Sequence, residues 1–296
     1  MTGVDRAPDR AGGLLPLLDL RPAGPGAFTA GPRRTSPERA FGGAVVAQAL
    51  LAAGRTVPAD RAVHSLHAYF LRAGEAAEPT GLTVEHVRDG GSYATRRVRA
   101  EQRGRTTLEL TASFHRPETG FTHQVPVLDA PPPEDLPDPV AAGAGARGLL
   151  REWFDRLADR HPFELRLDGE LPRLAAARGE AAPPRQRFWL RCREALPDEP
   201  LLHGCALAYV SDLLLLSTAL APHRTMVGAP DVAAASLDHA VWFHRLARAD
   251  DWLYYEQEST WADGGRVMCS GRVFDRAGRL VLTVAQEGTV RPLGGR

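Results

Sequence analysis

The sequence predicts an α+β protein built twice over, and three observations carry that prediction. The first is an internal repeat. Residues 62–117 and 235–292 align with Arg72 on Arg245, Gly90 on Gly264, Gly104 on Gly278 and Thr111 on Thr283, at near-constant offsets of 173, 174, 174 and 172 (245 − 72, 264 − 90, 278 − 104, 283 − 111). The second is a helix ahead of each repeat that is apolar on nearly every side, which marks it as buried. The third is the run of long alternating strands after each helix, joined by glycine-containing turns. One buried helix wrapped by antiparallel strands makes an α+β unit, and the chain holds two.

In chain order, FGGAVVAQALLAAGRTVP (41–58) forms the first helix, with a broad Ala/Val/Leu face and a stop at Pro58. The strands after it turn at DGG (89–91) and RG (103–104). The stretch 119–185 differs in texture. APPPEDLPDP reads as a Pro-rich, acidic linker. RGLLREWFDRLADR (147–160) reads as an amphipathic helix, with Leu149, Leu150, Trp153, Phe154 and Leu157 on the side that docks. The second-half helix spans PDEPLLHGCALAYVSDLLLLSTALAP (197–222), with Asp198 as N-cap, Pro200 near the first helical position and Pro222 at its end. Its strands turn at DGG (263–265) and RAG (276–278). The expected domains are 1–118, a linker with its helix over 119–185, and 186–296.

Bulk composition removes several function classes. The 296 residues suffice for two modest cores, and 36 basic residues balance 36 acidic ones, so nothing points to nucleic acid or an anionic membrane as partner. Every basic residue is Arg, which excludes a Schiff-base lysine and the phosphate-gripping lysine of P-loop enzymes. Cys192, Cys205 and Cys269 lack metal-ligand spacing and cannot all pair, as expected of a reduced, cytoplasmic protein. LLPLLDL is too short for a signal peptide, and no apolar run reads as a bilayer span, so membrane insertion is not expected.

Gly143, Gly145 and Gly148 spell G-x-G-x-x-G, but DLPDPVAA upstream is no strand, so the dinucleotide fingerprint fails. GGSYA (90–94) misses the nucleophile-elbow pattern at its last position, and the ten histidines form no H-E-x-x-H.

The candidate chemistry lies in the second half. Asp212 sits within YVSDLLLLSTAL, read as mid-helix, where the leucines argue against full exposure and a buried carboxylate demands hydrogen bonds. Gln286, in VLTVAQE, offers a donor and an acceptor to one water; a polar edge-strand residue is the plain alternative. Ser236 opens AASLDHAVWFHR (234–245), which alternates as a half-buried strand with Leu237, Val241 and Phe243 on one face. The repeat places Phe114 opposite Gln286 (286 − 114 = 172) and Val63 opposite Ser236 (236 − 63 = 173). Matching the helix ends at Pro58 and Pro222 places Gln48 opposite Asp212 (212 − 48 = 164). The base-capable set exists only in the second half, so one site per chain, built by that half, is expected.

At these residues the sequence resembles the type II acyl-CoA thioesterase family, from about residue 13 to 292. The resemblance rests on FGGAVVAQAL, VHSLHAYFLRAG, DGGSYATRRVRA, TASFHRPETGFTHQ, LAYVSDLLLL, SLDHAVWFHR and VAQEG, in that order. It implies a double hotdog fold: two antiparallel sheets, each wrapping a long central helix and joined edge to edge. It also implies hydrolysis of an acyl thioester, with a catalytic Asp on Asp212, a Gln on Gln286 and a Thr position occupied by Ser236. Ala44 and Ala47 depart from the Gln and Gly common in that helix. Asp238, His239 and His244 are then expected as hydrogen-bonding support, and backbone donors near His203 and Gly204 as the oxyanion site. No metal or organic cofactor is implied, and a homo-oligomer is. Three alternatives stay open: a hydratase, disfavoured because no histidine follows Asp212 before His223; a thioesterase for carrier-protein thioesters; and a silent acyl-thioester-binding protein.

Overall fold

The computed structural model describes residues 13–32, 39–126, 130–159 and 161–294. The first half runs from a short helix α1 (Leu14–Leu17) through strands β1 (Leu20–Gly24) and β2 (Ala27–Ala30) to helix α2 (Gly42–Gly54). Strands β3 (Ala62–Phe70), β4 (Thr80–Asp89), β5 (Tyr93–Gln102) and β6 (Arg105–His115) follow. The intervening stretch holds helices α3 (Pro139–Ala142) and α4 (Gly148–Asp159), strand β7 (Phe163–Leu167) and helix α5 (Pro172–Ala177). Strand β8 (Arg185–Cys192) then leads to helix α6 (Pro200–Ser211) and a 3-10 stretch over Leu215–His223. The last strands are β9 (Val232–Ser236), β10 (Asp238–Phe243), β11 (Leu253–Asp263), β12 (Arg266–Asp275) and β13 (Leu280–Pro292).

Each strand pairs antiparallel with its neighbours in one sheet, ordered β1-β2-β4-β5-β6-β3-β10-β13-β12-β11-β8-β7, with β9 added on β13. Read from its two ends inward, this order repeats itself: β7 stands for β1, β8 for β2, β11 for β4, β12 for β5, β13 for β6 and β10 for β3. The halves meet edge to edge at β3 and β10, where Leu66 faces Val241 and Ala68 faces His239. Joining there removes two exposed strand edges from the molecule. The repeat is therefore longer than the alignment indicated, since it includes the hairpins β1–β2 and β7–β8. The stretch 119–185 is correspondingly more than a linker: β7 pairs with β8, and α4 buries Phe154 and Leu157. The side chain of Leu149 lies outside the described residues.

Small residues govern the centre. Gly43 lies so close to α6 that a Cβ there would sit 2.2 Å from the Tyr209 carbonyl oxygen, and one on Gly54 would sit 2.4 Å from Leu201 Cδ1. The N-terminus of α2 thus touches the C-terminus of α6 and the reverse, so the helices run antiparallel. Val46, Leu50, Leu51, Leu207 and Val210 fill the space around them; each such side chain contributes roughly 1.5–3 kcal/mol over the exposed state.

Several sequence expectations need correction here. Asp198 does not cap α6; Glu199 holds the N-cap position without a side-chain cap bond, and Asp198 is exposed beside Arg248. The long helix to Pro222 is two elements: α6 ends at Ser211, Asp212 is its C-cap, and Leu214 takes a left-handed φ of 63°. Pro222 lies inside the 3-10 stretch, which ends at His223 with Arg224 left-handed at a φ of 58°. Matching true helix ends pairs Asp212 with Arg55, the C-cap of α2, and not with Gln48. Residues 200–223 also have the length and mean hydropathy, 1.6, of a membrane span, although 83% of that window is buried inside the protein. In the decoy motif only Gly143 serves packing, since a Cβ there would lie 2.5 Å from the Phe154 ring; Gly145 and Gly148 have open space around them.

Candidate active site

A cavity of about 740 Å³ opens where the two halves and the intervening stretch meet. The first half contributes Phe41, Gly42 and Phe70; the second contributes Asp212, Leu213, Leu216, Ser236 and Leu237; α4 and α5 add Trp153 and Arg173. The expectation of a site built by the second half alone is thus overturned. Antiparallel packing of α2 and α6 brings a helix C-terminus from one half against a helix N-terminus from the other.

Asp212 exploits that junction. Its Oδ2 accepts a 2.8 Å hydrogen bond from the Gly43 N–H, one of the donors that the first turn of a helix leaves without an intrahelical partner. The partial positive charge at the start of α2 also favours a carboxylate there. Asp212 is nearly buried, yet Oδ1 has no protein hydrogen-bond partner among the described residues. Gly42 is required beside it, because a Cβ would come 2.8 Å from Oδ2.

The chain that turns out of α6 at Asp212 is held by polar groups the sequence analysis missed. Tyr255 donates to the Ser211 carbonyl at 2.6 Å, Gln257 to the Leu213 carbonyl at 2.7 Å, and Gln186 to the Leu214 carbonyl at 2.8 Å. These satisfy carbonyls that the broken helix would otherwise leave orphaned. Gly271 leaves room for the Tyr255 ring, which a Cβ would approach to 2.5 Å. The signal was present in LYYEQEST: Tyr255, Gln257 and Ser259 put hydroxyls and an amide on the buried parity of β11.

Ser236 lies on the cavity wall, and Gln286 lies behind it. The Gln286 Nε2 donates to Ser236 Oγ at 2.8 Å, and its Oε1 accepts from His239 Nδ1 at 2.5 Å. His239 Nε2 lies 2.8 Å from Ser211 Oγ, a hydroxyl that also lies 2.9 Å from the Ala208 carbonyl oxygen. Complete burial holds the His239 pKa below its usual value, with the Asp212 charge opposing the shift. A neutral imidazole is consistent with one donor and one acceptor nitrogen. Gln286 is only 1% exposed and does not line the cavity, so the direct amide–water contact expected from sequence is replaced by contact through Ser236.

The strand that carries Ser236 is not one continuous alternation. It breaks at Leu237 between β9 and β10, so Ser236 faces Gly288 whereas Ala240 faces Ala285. Leu237 donates its N–H to the Glu287 carbonyl, and its carbonyl accepts from Phe70 N–H. Asp238 Oδ1 accepts from the Glu287 N–H at 2.6 Å, which secures the slip. His239, Val241 and Phe243 then share the inward parity, and Leu237 drops out of that face to line the cavity. The slip also revises the internal control. Val63 lies across from Phe114, and one rung past Ala240–Ala285 brings His239 beside Gln286, so His239 and not Ser236 takes the place of Val63. His244 bonds Thr283 near the surface, at the far end of β10.

His203 and Gly204 do not belong to this cavity. They lie near the start of α6, about 12 Å along the helix from Asp212, and line a separate 220 Å³ pocket with Val63, Leu207 and Phe243. His203 Nδ1 accepts from the Ala249 N–H, and burial lowers its pKa.

A helix pair enclosed by a doubled antiparallel sheet defines a hotdog-fold protein. A hot dog fold protein from Alicyclobacillus acidocaldarius superposes with a TM-score of 0.74 over 94% of this chain and 97% of that one, at 20% identity. Sequence comparison goes further. Residues 159–289 match the acyl-CoA thioesterase family and residues 30–115 its N-terminal domain. The chain is similar to acyl-CoA thioesterase II TesB2 from Mycobacterium marinum (40% identity, TM-score 0.77, covering 96% of this chain and 100% of that one). Acyl-coenzyme A thioesterase 8 of Mus musculus is 39% identical over 86% of this chain and 81% of its own length. Acyl-CoA thioesterase 2 of Haemophilus influenzae is 36% identical, over 85% and 87%. The chain belongs to the acyl-CoA thioesterase family and is a thioester hydrolase.

Proposed function

We propose that the protein hydrolyses acyl-CoA thioesters with a water molecule held between Asp212 and Ser236. The observation that carries this reading is the placement of Asp212: Oδ2 anchored by helix α2, Oδ1 left for a cavity water. Asp212 takes a proton as that water adds to the thioester carbonyl, and the tetrahedral intermediate expels the thiolate, which the same proton then neutralises. Ser236 orients the water through its hydroxyl. Gln286 and His239 act as positioning residues, because their bonds end on Ser236 and Ser211. The first turn of α2, at Gly42, is the nearest source of backbone N–H donors for the oxyanion, in place of His203 and Gly204. Retention of Asp212 with its anchor argues against a silent binding protein.

A thiol-release assay over acyl-CoAs of graded length tests the proposal. Asp212→Asn lowers kcat by about 100-fold or more, and Ser236→Ala lowers kcat less, with little change in KM. Comparable turnover by Asp212→Asn would remove Asp212 as the base.

We also infer a homo-oligomer in a reducing, cytoplasmic setting. Exposed Tyr69 and Trp242 on the outer face of the β3–β10 seam support association, and three buried free thiols support the compartment. Sedimentation of the wild type against Trp242→Ser checks the first.

A further inference from the structure

Among the described residues, the catalytic cavity is lined by four arginines, Arg39, Arg72, Arg156 and Arg173, against a single acidic residue, Asp212. In a chain of zero net charge this is a local excess of positive charge. Two of the four come from the intervening stretch, Arg156 on α4 and Arg173 on α5. Arg173 is recessed: its guanidinium lies over the Trp153 ring at 4.4 Å and donates to the Val227 carbonyl at 3.0 Å. Among the described residues it has no carboxylate partner. Burial, with Arg156 close by, lowers its pKa to about 10. Among the described residues Arg156 has only a 3.8 Å approach from Glu152, and Arg72 spends one N–H on the Thr106 carbonyl. Two neighbouring cations without an acid between them are unfavourable until an anion arrives.

We infer that the arginines of the intervening stretch, Arg156 and Arg173, bind the phosphate groups of coenzyme A, with Arg72 and Arg39 contributing from the first half. This rests on the reading of the Asp212 cavity as the thioester site. Guanidinium forks match phosphate oxygens in bidentate geometry. The walls near Asp212, built by Phe41, Phe70, Leu213 and Leu216, are apolar and offer nothing to a phosphate. One cavity thus provides an acyl-compatible wall and a cationic one. The recessed position of Arg173 favours a small phosphorylated ligand over the acidic surface of a carrier protein, which cannot enter a cavity behind Trp153. The stretch read from sequence as a linker thereby selects coenzyme A thioesters over carrier-protein thioesters.

The test compares one acyl group on coenzyme A, on dephospho-coenzyme A and on pantetheine. The wild type is expected to prefer them in that order. In Arg156→Ala/Arg173→Met, KM for acyl-CoA rises at least about tenfold and the preference for acyl-CoA over acyl-pantetheine collapses. Arg173→Lys keeps part of that preference. Equal kcat/KM on acyl-CoA and acyl-pantetheine in the wild type overturns the inference, as does a parallel loss on both substrates in the double variant. A wild-type preference for a carrier-protein thioester that the double variant loses overturns it too, and gives the arginines to the carrier. Calorimetric titration with adenosine 3′,5′-bisphosphate reads the phosphate site without turnover. Binding that the double variant abolishes supports the site even if the wild type proves inactive on every thioester, a result that would sink only the hydrolase reading.

Discussion

The two ends of the α2–α6 helix pair are related by the duplication, yet only one sets a carboxylate against the N-terminus of the partner helix. At the working end, Gly42 and Gly43 open α2, Asp212 closes α6, and His239 and Gln286 stand behind the wall. At the other end, Pro200 and Leu201 open α6, Arg55 closes α2, and Val63 and Phe114 take the two wall positions. Arg55 turns away to the Leu20 carbonyl, and the remaining 220 Å³ pocket is lined mostly by apolar groups. The difference teaches that the placement of Asp212 depends on a pair of ends, one from each helix. At this end the glycine-opened N-terminus of α2 supplies the donor and the room that the Asp212 carboxylate occupies.

The sharpest way to break this comparison is to remove the carboxylate charge. Asp212→Asn is expected to lower kcat by about 10²–10⁴, the range for a general base, whereas Arg55→Gln leaves kcat unchanged and affects only stability. Equal losses in a thiol-release assay would mean that both ends work. Next comes the glycine that adjoins the carboxylate. Gly42→Ala forces a methyl group to 2.8 Å from Asp212 Oδ2 and is expected to cost about 10–100-fold in kcat. Gly204→Ala at the other end meets Val63 Cγ1 at 3.2 Å and should leave kcat within about twofold. His239→Gln is expected to reduce kcat about tenfold while KM holds, because it disturbs Ser236 only through Gln286.

Protonation separates the ends less strongly. Burial lowers the pKa of His239 at one end and of His203 at the other, so the folded state keeps both neutral where an unfolded chain binds protons. Stability therefore falls as pH drops through about 6.5, the unfolded value, and is not penalised above it. Thermal melts from pH 7.5 to 5 should show this slope, and it should flatten more in His239→Gln than in His203→Gln. The smallest effect is reserved for Gln48, buried in mid-helix with its Nε2 donating to the Leu17 carbonyl. Gln48→Ala should cost about 1–2 kcal/mol in stability and nothing in kcat, measurable by urea melts beside the activity assay.

Residue by residue, the sequence was informative where periodicity or chemistry is local. The apolar helices, the glycine turns and the lag between halves all follow from side-chain patterns a few residues wide. Asp212, Ser236 and Gln286 could be singled out because polar groups in apolar runs need an explanation. His203 and Gly204 fall outside the cavity because α6 stops at Ser211 and the chain turns away there, and nothing local in the sequence marks the left-handed Leu214. Its stabilisers, Gln186 and Gln257, are 71 residues apart in the chain and meet in a 2.6 Å hydrogen bond.

What the sequence determined by itself was the inventory: two copies of one α+β unit, one carboxylate within an apolar stretch, and no lysine chemistry. What only the tertiary structure decided was the assembly of that inventory. The anchor of Asp212 comes from Gly43, 169 residues away, and two of the cavity's arginines, Arg156 and Arg173, come from helices α4 and α5 of the intervening stretch. Periodicity records which face of an element is buried. It does not record which distant element covers that face, and this cavity is made from that covering.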